Sequence, residues 1–267
     1  MTLPAIALSV FRESVRDKVF YNLLLFSVVL VGASLLVGQT TAGQDLKIIK
    51  DLGLAATSLF GLFIAVFVGI GLVWKEVERR SVYSLLSKPV RRSDLVLGKY
   101  LGLAFTLLVN VAVMALVLYA ILGYMQLSTP AAVQRGWEAP AMDPALLLPF
   151  ALIFAQLLLV TALALFFSTF SSPMLSAAYT FGLYIVGHFN ADLKNFENVV
   201  PSAPVAWLAR GLYYLLPNLA PFDVKAQVVH GQAVAAGHVG LTLAYAAAYI
   251  AALLLAASII FAKRDLK

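Results

Sequence analysis

The sequence predicts an all-α, polytopic integral membrane protein. Hydrophobic residues make up 62% of the chain and charged residues only 12%, against about 25% charged in ordinary soluble domains. Mean hydropathy is +0.92. Apolar runs of about twenty residues, the length a bilayer requires, alternate with short polar stretches. Six such runs are expected in a single domain over 1–267. An amphipathic surface helix precedes them, a cytoplasmic helix joins two of them, and short re-entrant or interfacial helices come before the last. The net charge of +6 does not point to nucleic acid. It lies beside the spans, where the positive-inside bias and anionic lipid account for it. Cysteine is absent, which excludes disulfides and thiolate chemistry. His188, His230 and His238 are too scattered for a metal-ligand motif. The N-terminus lacks the short apolar core and cleavage site of a signal peptide.

In residues 1–18, Leu3, Ile6, Ala7, Val10, Phe11, Ser14 and Val15 fall on one helix face, and Arg12, Glu13, Arg16 and Asp17 largely on the other. That pattern predicts a helix lying along the membrane surface, rather than a first span extended into the cytosol. The first span is expected over 19–38. A polar loop follows, with Gln39, Gln44, Asp45, Lys47, Lys50 and Asp51, and the second span covers 52–74. Thr57, Gly61, Ala65 and Gly69 recur every four residues there, a ridge where a second helix can approach closely. Trp74 closes the span at the interface. The third span covers 100–124. Gly98 and Gly102 form a GxxxG at its mouth, a spacing that more often marks packing within a subunit than a dimer face.

A polar loop follows the third span, with Pro130, Pro140 and Pro144. Residues 145–167 and 173–189 then read as a hairpin of two spans, with Ser168 to Pro173 as the turn. The second of these is short. Residues 190–238 carry Pro201, Pro204, Pro217 and Pro221. Within them 203–216 is apolar but too short to span, which suits an interfacial or re-entrant helix. Asp223 is placed to cap a helix over 224–236. The last span covers 239–262, with Gly240, Ala244, Ala248, Ala252 and Ala256 at spacing four, and stops at Lys263, Arg264 and Lys267.

The most patterned polar stretch joins the second and third spans. It holds seven of the nineteen Lys and Arg, the signature of a cytoplasmic loop. Glu76 to Ser87 can form a helix with Val77, Val82, Leu85 and Leu86 on one side. Pro89 ends it, Ser93 reads as the next N-cap, and Asp94 sits near the positive end of the following helix. With both termini inside and six spans, the inside segments hold thirteen of the nineteen basic residues and the outside loops six, which supports that topology.

The membrane interior is informative by absence. Neither Asp, Glu, Lys nor Arg falls in the middle of a span, so no proton relay or intramembrane acid–base pair is visible. Asn110 and Gln156 are the main polar side chains at depth, as interhelical glue or as substrate contacts. There is no GxxxxGK[ST] loop, and no nucleophile with an accompanying base. A large bundle without an energy source, carrying a structured cytoplasmic helix, implies energy delivered by a partner. Val82, Tyr83, Leu85 and Leu86 would enter the partner's groove, with Arg79 and Arg80 against its acids.

The order of surface helix, two spans, EVERRSVYSLLSKPVRRSDLVLGKY, hairpin, long outer loop and terminal span resembles the type-2 permeases of ATP-binding cassette (ABC) exporters. Glu76, Glu78, Leu85, Leu86, Ser87, Pro89, Val90 and Arg91 carry the resemblance, while Ser81 replaces a Gly-Thr common in that family. YYLLPNLAPFDVK and FAKRDLK look like the NosY-like branch, associated with multi-copper-enzyme maturation. The resemblance implies that residues 76–88 are a coupling helix in a cleft of a nucleotide-binding subunit, through Glu76, Glu78, Arg79, Arg80, Ser81, Val82, Tyr83, Leu85, Leu86, Pro89 and Arg91. Ser168, Ser171 and Ser172 would make a smaller second contact. Two permease subunits, identical or different, would pair around a central path above two ATPase subunits. Those subunits would bind ATP and Mg, and this chain would bind no cofactor or metal. Residues 190–238 would shield the exit or dock a periplasmic partner. The setting implied is a bacterial inner membrane, with lipid around the bundle, both termini cytoplasmic and no nucleic acid.

Two other classes compete. One is a membrane enzyme acting on lipid through His188, His230 or Asp223. The other is a scaffold or assembly factor that moves nothing.

Overall fold

The computed structural model describes residues 3–39, 45–78, 92–189, 211, 213 and 216–263. Among them there are helices and connecting turns and no strand. The helices are α1 (Leu3–Val15), α2 (Lys18–Gln39), α3 (Asp45–Glu78), α4 (Arg92–Ser128), α5 (Ala131–Gln134), α6 (Leu147–Ser168), α7 (Pro173–His188), α8 (Lys225–Val229) and α9 (Ala236–Lys263). Short 3-10 turns at Pro144–Leu146 and Ala220–Phe222 lead into α6 and towards α8.

Among the described residues, five segments are long and apolar enough to cross a membrane: Lys18–Leu36, Asp45–Gly71, Asp94–Ser128, Pro144–Ser168 and Ala236–Ala262. The chain is therefore a multi-pass membrane protein. The fifth of the six expected spans, α7, has 16 residues, or about 24 Å of helix at 1.5 Å per residue, against a hydrocarbon core of about 30 Å.

The bundle has a centre and a rim. The spans of α3 and α6 are each 72% buried within the protein, whereas those of α2 and α9 are 22% and 17% buried. Lipid is as apolar as leucine, so helices associate in a membrane through close packing rather than through hydrophobic exclusion. The Gly61 position of the expected ridge meets Leu157 of α6, and Gly69 lies within 4.0 Å of Ala164 from where a Cβ would stand. Gly53 receives Leu118 of α4 in the same way, at 2.5 Å. These contacts set the register: α3 and α6 run parallel, and α4 runs antiparallel to both.

Helix α1 is a separate element, as its amphipathic pattern predicts. The helix breaks after Val15, and Asp17 restarts it, its Oδ1 accepting from the backbone N–H of Val19 at 2.9 Å. Its apolar face is covered by protein: Ile6, Ala7, Val10 and Ser14 are buried against the first turns of α4. A Cβ at Gly98 would stand 2.6 Å from Ile6 Cγ2, and one at Gly102 only 2.7 Å from the carbonyl oxygen of Ala7. The GxxxG thus packs within the subunit.

Three expected boundaries move. Asp45 to Asp51 lie in the first turns of α3 instead of a loop, because Leu46, Ile49 and Leu54 are buried at helical spacing and extend its packed stripe. Ser93 lies inside α4, whose described start is Arg92, while Asp94 occupies the first turn as expected. Burial of Leu95 and Val96 beside α1 favours helix up to that point. The helix expected over 224–236 is only Lys225–Val229. Gly231 ends it with φ of 68°, a left-handed conformation that costs glycine little. A Cβ there would also come within 3.1 Å of Glu138 O.

The chain re-enters the bundle where α7 stops. The N–H of Leu219 donates to Gly187 O at 2.9 Å, and that of Asn218 to the Tyr245 hydroxyl at 2.8 Å. Leu219 and Phe222 are 0% and 1% exposed, packed among Leu159, Leu163 and Ala246. Residues 216–222 are thereby tied to the side of the last turn of α7.

Candidate functional site

Helix α3 runs without a break for 34 residues, about 51 Å at the α-helical rise, and places Glu76 and Glu78 in its last turn. Arg79, Arg80, Ser81, Val82, Tyr83, Leu85, Leu86, Pro89 and Arg91 lie outside the described residues. So do most of the 203–216 stretch and the 264–267 tail.

The turn between α6 and α7 is as tight as its sequence predicts. Ser168 is 8% exposed and its Oγ donates to Leu165 O at 2.7 Å. Ser171 donates to Phe167 O at 2.9 Å and shares a 2.7 Å hydrogen bond with Ser176. Ser172 takes the N-cap position before Pro173 and is exposed. Of the three serines it alone is exposed, and it is flanked by Phe170 and Met174, 48% and 85% exposed. Those two apolar side chains were not anticipated.

Both polar groups at depth are buried, with different consequences. Gln156 ties α6 to α7, its Nε2 3.0 Å from His188 Nε2. The other ring nitrogen of His188 is 2.8 Å from Tyr184 O. A carbonyl only accepts, so Nδ1 carries the proton and Nε2 accepts from the glutamine amide. Asn110 is 0% exposed, and neither its amide nitrogen nor its amide oxygen finds a partner among the described residues. By the register above it lies level with Gly61 and Leu157, at the middle of the bundle. Its nearest threonine on α4, Thr106, bonds to Gly102 O at 3.0 Å. Thr57 and Thr161 are likewise engaged with carbonyls of their own helices.

The opposite end of the bundle holds an ionic cap. Glu138, in the loop after α5, accepts from Lys47 Nζ at 2.5 Å and from His230 Nδ1 at 3.1 Å. It thus joins the start of α3 to the turn after α8. These two hydrogen bonds hold its carboxyl below the ordinary carboxylate range. Lys50, 1% exposed, donates to Pro140 O at 2.8 Å, and Tyr119 donates to Asp143 O at 2.8 Å. Asp223 accepts from the Lys225 backbone at 3.3 Å. His230 and Asp223 make different hydrogen bonds but both lie near Asp51, and His188 serves a tie of its own. Among the described residues, no group of His, Asp and Glu has the size of a metal site.

A helical bundle with charge-free span centres and tightly packed small-residue seams fits a transporter subunit. The family model for ABC-2 family transporter proteins matches residues 5–266. The chain belongs to that family. A search of curated proteins found no match.

An ABC-2 family protein is the membrane permease subunit of an ABC transporter, a transport subunit that is generally not itself catalytic, and the family works with an ABC ATPase. The ionic cap of this permease was missed in its sequence. Lys47 and Lys50 looked like loop residues, and Glu138 and His230 are 92 positions apart. The available signal was the i, i+3 spacing of Leu46 with Ile49, which places both lysines on a helix.

Proposed function

We propose that this chain is the permease of an ABC exporter, moving its substrate out across a bacterial inner membrane with ATP hydrolysed by a separate nucleotide-binding subunit. The observation that carries this reading is the family match across residues 5–266. Residues 76–88 act as the coupling helix, and the unbroken α3 delivers their displacement to the buried centre of the bundle. Ser172, with Phe170 and Met174, forms the smaller second contact. Two ATPase subunits, holding ATP and Mg, work beneath a pair of permeases of the NosY-like branch. Both termini lie in the cytoplasm. The fifth of six crossings is made by α7. Asn110 is a polar contact of the pathway, partnered when the helices around it rearrange.

The test is direct. In the co-purified complex, Glu78→Ala with Leu85→Ala should abolish stimulation of the ATPase while the permease still inserts and folds. Undiminished stimulation would sink the coupling role. A native assembly with no ATP-hydrolysing component would sink the whole reading.

A further inference from the structure

Helix α1 does not lie flat across the end of α4. Ile6 meets Gly98 and Val10 meets Gly102, and the rings of Phe11 and Phe105 lie 6.4 Å apart, so α1 advances in the same direction as α4. The buried Lys50 and Lys99 mark the two ends of the bundle in depth. Gly53 meets Leu118, which puts Lys50 level with Ile121 on the antiparallel α4. From Lys99 to Ile121 is about 33 Å of helix, close to the roughly 30 Å of a hydrocarbon core. Phe105 lies about 9 Å inside the Lys99 end, and α1 carries the corner where it gives way to α2 towards that level.

This corner is charged. Ser9, Arg12, Glu13, Arg16, Asp17 and Lys18 line an open groove of about 690 Å³, and Arg12, Glu13, Arg16 and Lys18 are exposed. Among the described residues no carboxylate forms an ion pair with Arg12, Arg16 or Lys18, and Asp17 Oδ1 accepts from the Val19 N–H. The groove lies at the rim of the bundle: the span of α2 is 22% buried, and its Tyr21 and Leu25 are exposed. Charged side chains facing lipid below the headgroup plane are costly. Long basic side chains relieve that cost by reaching towards phosphates, and the bilayer relieves it by thinning locally.

We propose that this groove draws in the headgroup of an anionic phospholipid from the leaflet on that side. Arg12 and Arg16 are four residues apart and share a helix face. Their planar guanidinium groups donate to the phosphate oxygens, Lys18 stands beside them, and the acyl chains lie along the exposed side chains of α2. Three cations against two carboxylates leave the groove net positive, which favours an anionic headgroup over a zwitterionic one. The site is independent of the coupling role proposed above.

Delipidated full-length protein in detergent, titrated with phosphatidylglycerol and followed by native mass spectrometry, should retain this lipid more tightly than phosphatidylcholine. Arg12→Gln with Arg16→Gln should weaken phosphatidylglycerol binding roughly tenfold or more, the size expected for losing hydrogen bonds between charged groups. Arg135→Gln, at the other end of the bundle, should leave it unchanged. Equal binding of the two lipids, or unchanged binding in the double variant, would overturn the proposal. Should the double variant fail to fold, Ser9→Trp decides, in the full chain with Trp74→Phe, Trp137→Phe and Trp207→Phe. In phosphatidylglycerol bilayers its fluorescence should be quenched more by lipid carrying a nitroxide on the headgroup than by lipid carrying it at mid-chain, and the reverse order would overturn the site.

Discussion

Helices α3 and α9 carry the same sequence device and use it differently. Each repeats small residues every four positions. In α3 the ridge is packed: a side chain at Gly53 or Gly61 would collide with Leu118 or Leu157, and the span is 72% buried. In α9 the row of Gly240, Ala244, Ala248 and Ala252 is exposed. A Cβ at Gly240 would have nothing within 4 Å. Thr242, Ala246, Leu254 and Ala257, on the other side of α9, are the residues that pack. Small residues permit a close approach, but the shapes of the neighbouring helices decide whether it happens. Spacing alone therefore marks an available seam and not an occupied one.

The contrast is broken most severely where a small residue faces backbone. Gly102→Leu would drive its Cβ into the carbonyl of Ala7, which cannot rotate away, and should destabilise the protein by about 3 kcal/mol or more. Thermal or denaturant unfolding in detergent reads this loss, and proteolysis within α1 should rise with it. A fully stable Gly102→Leu would mean that α1 does not rest on α4.

Asn110 sharpens the comparison from inside the packed centre. Asn110→Leu removes two unpartnered amide atoms at nearly constant volume, and should raise stability by about 1–2 kcal/mol. ATP-driven coupling should fall at the same time if the amide finds its partner during the transport cycle. Lower stability in Asn110→Leu would show that the amide is already satisfied in the resting bundle.

Glu138 tests the cap, with a weaker and pH-dependent effect. Its carboxyl is held below the ordinary carboxylate range by its hydrogen bonds to Lys47 and His230. A depressed carboxylate contributes stability above its unfolded pKa, and that contribution is lost as pH falls through the folded value. The difference in stability between the wild type and Glu138→Gln should therefore be fully present at neutral pH and vanish in acid below the ordinary carboxylate range. A difference that does not change with pH would mean the tie is steric. The smallest effect belongs to α9: Ala248→Leu should shift the stability of the isolated subunit by no more than about 0.5 kcal/mol.

Much of the architecture was legible because it is written in local periods. The amphipathic rhythm of residues 1–18 located a helix ahead of the first span, though not its end at Val15. The apolar runs located the five long spans, and Ser168 to Pro173 located a tight turn. The lack of charge at span centres removed ion and proton chemistry from consideration. Less of the candidate site could be read. The coupling role expected for residues 76–88 came from resemblance, and most of that stretch lies outside the described residues. Phe170 and Met174 went unnoticed because their exposure depends on how tightly the turn closes. Asn110 and Gln156 looked equivalent in sequence, yet Gln156 binds His188 and Asn110 has no partner among the described residues.

Hydropathy and helical period by themselves determined the class, the order of the helices and the position of most spans, because each depends on neighbours within a few turns. Tertiary structure decided which faces meet. It set α1 on the glycines of α4, drew Lys47 and Lys50 into α3, brought Glu138 to His230, and tied residues 216–222 to the last turn of the short α7. Those outcomes depend on the shape and charge of segments tens of residues away, which no local period contains.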